Sequence, residues 1–227
     1  MPCGCVLLAY YGLSILDGLP RTIHYQIDRF ENTSWGFHKT WRETINGTAY
    51  ISADGSRRNV ASSSSFRHWV IPDGSSRMHS LYLRGPNEGF EIDQEARTVT
   101  GGPCACTWTR FELIRDDPTC VRTANSMIAD PHMEQEGRIA GHRVLWFSAG
   151  IPLPPPGTRR TVRLALAPAL ACEALEHSKV DTGFLDIPYR TWRYRVVSYQ
   201  PGEPPPDTFR LPPGYRIKKP RWLRAIP

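Results

Sequence analysis

Apolar and polar residues alternate cleanly in several stretches of the chain. From Thr22 to Arg29, Ile23, Tyr25 and Ile27 fall on one side and His24, Gln26 and Asp28 on the other. That period of two predicts a half-buried strand. Trp192 to Tyr199 repeats it, with Trp192, Tyr194 and Val196 alternating with Arg193, Arg195 and Val197. Thr161 to Leu166 does so again through Val162, Leu164 and Leu166. Phe37 to Glu43 and Thr48 to Ser52 read as two strands joined by a hairpin at Asn46-Gly47, a dipeptide suited to a tight turn. Asp54-Gly55 then leads into Arg57 to Ser62, and a short strand at Trp69 to Ile71 closes at Pro72-Asp73-Gly74. Met78 to Arg84 and Phe90 to Asp93 follow, and Thr98 to Thr100 ends at Gly101-Gly102-Pro103. Turn signals spaced by roughly ten residues are the rhythm of an antiparallel sandwich or barrel.

Other stretches are ambiguous. Between Cys104 and Glu136, Trp108, Phe111, Leu113 and Ile114 suit either a short helix or a strand, and Thr123 to Glu136 has room for a helical turn. Ile139 to Phe147 reads as strand and Gly150 to Gly157, with three consecutive prolines, as an extended loop. Ala169 to His177 holds good helix formers in a strand-rich setting and fits either state. The expected class is mainly β, with α+β as the alternative. Residues 1–18 form an apolar N-terminal segment, 19–220 one antiparallel β-rich domain and 221–227 a tail. Within the first, Cys5 to Leu16 is too short to span a bilayer as a helix. It reads as a remnant of an export signal or as an ordinary packed element, although no basic residue precedes it.

Composition narrows the functional classes. Seven Trp and nine Tyr supply a core and argue against disorder. The net charge of +6 is spread over pairs such as Arg57-Arg58, Arg159-Arg160 and Lys218-Lys219, so no basic stripe points to nucleic acid. No phosphate loop, dinucleotide fingerprint or nucleophile elbow appears, and no cofactor is implied. Cys104, Cys106, Cys120 and His132 lack the paired spacing of a zinc site. His132, Glu134 and Glu136 stand at alternate positions but read best as a solvated loop, and Ser62 to Ser65 as a flexible one. Asn32-Thr33-Ser34 and Asn46-Gly47-Thr48 fit the glycosylation tripeptide, a pattern common by chance.

Six cysteines allow fifteen pairings. Cys3 with Cys5, and Cys104 with Cys106, are too close along an extended chain to bond each other well. Cys104 or Cys106 with Cys120 is the first pairing to test, and export would favour it.

The chain closes on PPPDTFRLPPGYRI, residues 204–217. Prolines stiffen the approach, Phe209 and Leu211 point to one face, Pro212 bounds the segment, and Gly214 permits a turn that delivers Tyr215 and Ile217 to the sheet. Its plainest reading is a structural cap on the last strand. This segment, with Asp54-Gly55-Ser56-Arg57-Arg58, Phe90-Glu91-Ile92-Asp93 and Arg138-Ile139-Ala140-Gly141-His142-Arg143, resembles a group of uncharacterised exported bacterial proteins. Those are similar in turn to the periplasmic lipoprotein carriers and sigma-factor regulators, the LolA/RseB-like open-barrel group. The resemblance spans roughly residues 20–217 and implies a curved antiparallel sheet or open half-barrel with one or two short helices. It implies a periplasmic or secreted protein and supplies no catalytic residues.

The leading expectation is therefore a non-enzymatic carrier, membrane-peripheral at most, that binds a lipid or lipoprotein in an apolar concavity. The alternative is a protein-interaction or structural module built on sheet edges and Pro-rich loops. A hydrolase resting on His132, Glu134 and His142 ranks third.

Overall fold

The computed structural model describes residues 19–33, 39–54, 56–67, 71–72, 77–84, 88–93, 96–103, 120–183, 186–211 and 213–218. Its strands are β1 (Arg21–Thr33), β2 (Lys39–Ile51), β3 (Arg57–Arg67), β4 (Ile71–Pro72), β5 (Arg77–Arg84), β6 (Glu88–Asp93) and β7 (Thr98–Pro103). After helix α1 (Val121–Met127) come β8 (His132–Ile139), β9 (His142–Leu153), β10 (Thr158–Ala167), β11 (Glu173–Thr182), β12 (Pro188–Pro201) and β13 (Arg216–Lys218). They form one curved sheet in the order β13-β7-β6-β5-β3-β2-β1-β12-β11-β10-β9-β8, with β4 beside β3. The sheet is open, since β13 and β8 stand at opposite ends of that order. Every pairing is antiparallel except β13 with β7. The fold is thus mainly β.

Sequential strands pair through short connections, the inexpensive way to build an antiparallel sheet. β1 through β7 make one meander and β8 through β12 another. β1 and β12 join the two over a register running from Arg21↔Pro201 to Glu31↔Arg190.

Two large buried clusters result. The first gathers Ile23, Tyr25, Ile27, Ile45, Tyr194 and Val196 with residues of β9, β10 and β11. The second packs Leu145, Phe147, Val162, Leu164 and Leu166 under Ala124 and Ile128 of the α1 region. β9 and β10 contribute to both: Val144, Ala165 and Ala167 belong to the first, and Leu145, Leu164 and Leu166 to the second. The register slips between Ala165 and Leu166 opposite β11, and such a bulge increases local twist.

A helix of seven residues is too short to hold itself. It is anchored by a disulfide from Cys120 to Cys172, with a Cα–Cα distance of 5.4 Å. This corrects the expected bridge from Cys104 or Cys106 to Cys120. Cys120, just ahead of α1, is carried against the turn that opens β11, a neighbour that sequence distance does not reveal. Closing a span of 52 residues limits the unfolded chain by about 4 kcal/mol in the chain-entropy account. Cys104 and Cys106 lie outside the described residues, as do Trp69, Val70, the N-terminal 1–18 segment and the 221–227 tail.

Several other expectations change. Asn46-Gly47 is no hairpin: β2 runs straight through it, and Gly47 pairs with Tyr25. A Cβ on Gly47 would overlap the Tyr25 ring, whose hydroxyl donates to Asn59 Oδ1 at 2.7 Å. The glycine serves close approach across strands, not reversal. Ser62 to Ser65 lies in β3, paired with β2, and His132 to Glu136 in β8, an exposed strand. Gly101 and Gly102 sit within β7 opposite Phe90 and Gly89. Ile139 to Phe147 is broken by a turn at Ala140-Gly141, where both residues have positive φ. Only the Pro154 to Gly157 part of the proline-rich loop is a turn, because β9 continues to Leu153. Ala169 to His177 is largely strand, a 3-10 turn at Pro168–Leu170 preceding β11.

Beyond β12 the chain crosses the strand ends to the far side of the sheet. Ser52 donates a short hydrogen bond to the Glu203 carboxylate, and Arg58 Nη1 donates to the Thr208 carbonyl at 2.8 Å. Phe209, Leu211 and Tyr215 pack against Ile92 and Val99 of β6 and β7. Gly214 has φ +77°, and β13 then adds to β7 in parallel. Pro212 lies outside the described residues, and Ile217 is exposed.

Candidate functional site

Residues directly paired across antiparallel strands share a face. Register therefore defines an inner face in three rows. The deepest is apolar: Ile45, Ile27, Tyr194, His177, Leu164 and Phe147. One step towards the strand ends lies a mixed row of Glu43, Arg29, Trp192, Lys179, Val162 and Ala149. The next row is charged, running Trp41, Glu31, Arg190, Asp181, Arg160 and Ile151. The opposite, outer face carries Asp28, Thr44, Arg193, Arg195 and Glu176, joined among themselves by hydrogen bonds and ion pairs.

The outer rows of the inner face form a rim of ion pairs. Arg29 meets Glu43 at 3.0 Å and Arg190 meets Glu31 at 2.7 Å. Arg160 forks onto Asp181, with Nε to Oδ1 at 2.7 Å and Nη2 to Oδ2 at 2.9 Å. Lys179 has no such partner among the described residues, and its ammonium stands 5.5 Å from the Trp192 ring centroid. Burial, then the Arg160 charge, pushes its pKa down, while Asp181 opposes the shift.

His177, two residues before Lys179 on β11, packs edge-on against the same indole, its ring 5.0 Å from Trp192. It is only 7% exposed, and neither ring nitrogen has a hydrogen-bond partner. Burial first, and Lys179 second, lowers its pKa to about 4. The imidazole is therefore neutral near pH 7, offering one N–H donor and one acceptor. A buried polar group with no partner is costly, and this one lies just beneath the rim.

The other end of the inner face is charged too, but sealed. Arg21 Nη2 and Nε bond Glu173 at 2.8 and 3.0 Å, and Nη1 donates to the Leu19 carbonyl at 2.6 Å. Tyr199 and Tyr194 lie nearby, both with pKa raised by burial first and by the Glu173 charge second.

The residues singled out in the sequence fall elsewhere. His132 Nε2 sits 3.0 Å from Ser148 Oγ on the outer face. The Glu134 carboxyl is held low by a hydrogen bond from Ser148 and by Arg163. His142 lies at the far end of β9 against Tyr199, so the three expected hydrolase residues do not converge. Among the described residues no cluster suits a metal ion, and no helix is long and apolar enough to cross a membrane. The rim was missed, although a signal existed. The apolar parity of β1 and β12 turns charged in Arg29, Glu31 and Arg190.

No protein-family model matches the chain, and no curated protein matches it. Among solved structures it is similar to an uncharacterised conserved protein from Thermus thermophilus, with 9% identity, TM-score 0.45, and 89% and 91% of the two chains covered. It is also similar to LprF from Mycobacterium bovis, with 12% identity, TM-score 0.40, and 85% and 88% covered. A LolA superfamily protein from Nitrosomonas europaea gives 9% identity, TM-score 0.30, and 92% and 96% covered.

Proposed function

We propose that this chain is a non-enzymatic envelope or secreted protein that binds a lipid or lipidated partner over its inner face. One observation carries the reading: above a buried apolar row, within two steps along the strands, the face turns to half-buried Trp192 and Trp41 and a charged rim. Aromatic rings at an apolar-to-polar boundary suit an amphiphile, whose chain and headgroup need different surroundings. The Cys120–Cys172 disulfide supports an oxidising compartment. Native mass spectrometry after mild extraction tests the reading. The expected outcome is a co-purifying acyl species that organic solvent removes. A protein that is always ligand-free, and that takes up no added amphiphile, would overturn it. A second reading, an interaction module, draws on β8, an edge strand whose residues are mostly exposed. A pull-down whose captured protein is lost on placing proline in β8 would favour it.

A further inference from the structure

His177 is an ionisable group placed where ionisation is least tolerated. It pairs with Tyr194 of β12 on one side and Leu164 of β10 on the other, and both are buried. The Trp192 ring meets it edge-on. Neither ring nitrogen has a hydrogen-bond partner, so a proton added there finds no acceptor. It finds no opposite charge either. Lys179, on the same strand, adds a repelling ammonium. Tyr194 is a phenol that burial keeps neutral. Further out, β12 brings Arg190 paired to Glu31, β1 brings Arg29 paired to Glu43, and β10 brings Arg160, which forks onto Asp181 of β11. Glu176, next to His177 in the chain, points to the outer face and holds Arg193. Helix α1, packed on Leu164, has Arg122 as its one charged residue. A buried charge without a counter-charge is among the costliest things a fold can hold.

We propose that His177 is an acid-sensitive latch, whose protonation in mild acid opens the packing around Trp192 and lets water onto the inner face of β11. Opening of the face is independent of what occupies it, so this does not rest on the carrier reading. The imidazole is held at a pKa of about 4 while buried, and returns towards its ordinary 6.5 once water reaches it. A base with a depressed pKa favours the closed state fully above its ordinary value. Below about pH 6.5 the ratio of closed to open molecules falls roughly tenfold for each pH unit, down to about pH 4. No covalent step is involved.

NMR of the full chain, titrated from neutral pH into mild acid, tests the latch. The His177 ring resonances should keep their neutral positions well below pH 6.5. Over the same interval amide protection factors in β11 and β12 should fall roughly tenfold per pH unit relative to those in β3. His177→Phe, a ring that takes up no proton, should lose this excess fall, whereas carboxylate titrations common to both chains cancel in the comparison. Lys179→Met, at an exposed position, should raise the His177 pKa by removing the one repelling charge. That shift and the unaltered chain's own titration need no folded His177→Phe. A His177 that titrates near 6.5 with protection intact overturns the latch. So does a pH profile shared by the parent and His177→Phe chains, or an equal loss of protection in β3, which marks general acid unfolding.

Discussion

The two ends of the inner face hold the same chemistry in different solvents. At one end Arg21 and Glu173 have side-chain exposures of 0% and 2%; at the other Arg190 and Glu31 have 51% and 35%. A pair taken wholly out of water must satisfy itself, and Arg21 does so with Glu173 and the Leu19 carbonyl. Removing one member leaves a bare buried charge. A pair at the rim remains hydrated, and its net attraction is small. Charge at the sealed end fixes the packing of β1 against β11. At the open end the pairs stay in contact with water, and Lys179 lies over the Trp192 ring without a carboxylate of its own among the described residues.

The largest effect is expected from Arg21→Met. Stranding Glu173 should cost roughly 3–5 kcal/mol in urea unfolding, and pairing the change with Glu173→Leu should recover most of it. A loss below about 1 kcal/mol would show that water reaches this end and would erase the contrast. Next comes Gly47→Ala, also in the sealed half. The new methyl meets a Tyr25 ring that is buried and tied to Asn59. Overpacking of this kind costs roughly 1–3 kcal/mol, whereas a true hairpin glycine would not collide with a neighbouring ring. Smallest is Arg190→Met, where loss of the Glu31 pair should move stability by less than about 1 kcal/mol and less still at high salt. A larger change would mean that the rim is structural.

Much of the strand content was legible because burial on one face forces period-two alternation, as in Ile23, Tyr25 and Ile27 or Tyr194 and Val196. The errors are equally physical. Asn46-Gly47 carries the letters of a turn, but a glycine beneath a cross-strand ring carries the same letters. Ala169 to His177 has helical propensity that pairing with β10 and β12 overrides. Ser62 to Ser65 looks like a loop until β2 and β5 flank it. None of the rim residues stood out, because each is an ordinary surface letter until register sets it beside the others.

The sequence by itself determined a β-rich chain, most of its later strands, the turn at Asp54, and the two alternating stripes that became β1 and β12. It determined these because propensity and alternation act between near neighbours. Tertiary structure decided that β1 and β12 lie side by side, that Cys120 meets Cys172, and that Trp192 packs against both His177 and Lys179. Those outcomes depend on register between strands far apart in the chain, and on which polar groups packing leaves without a partner.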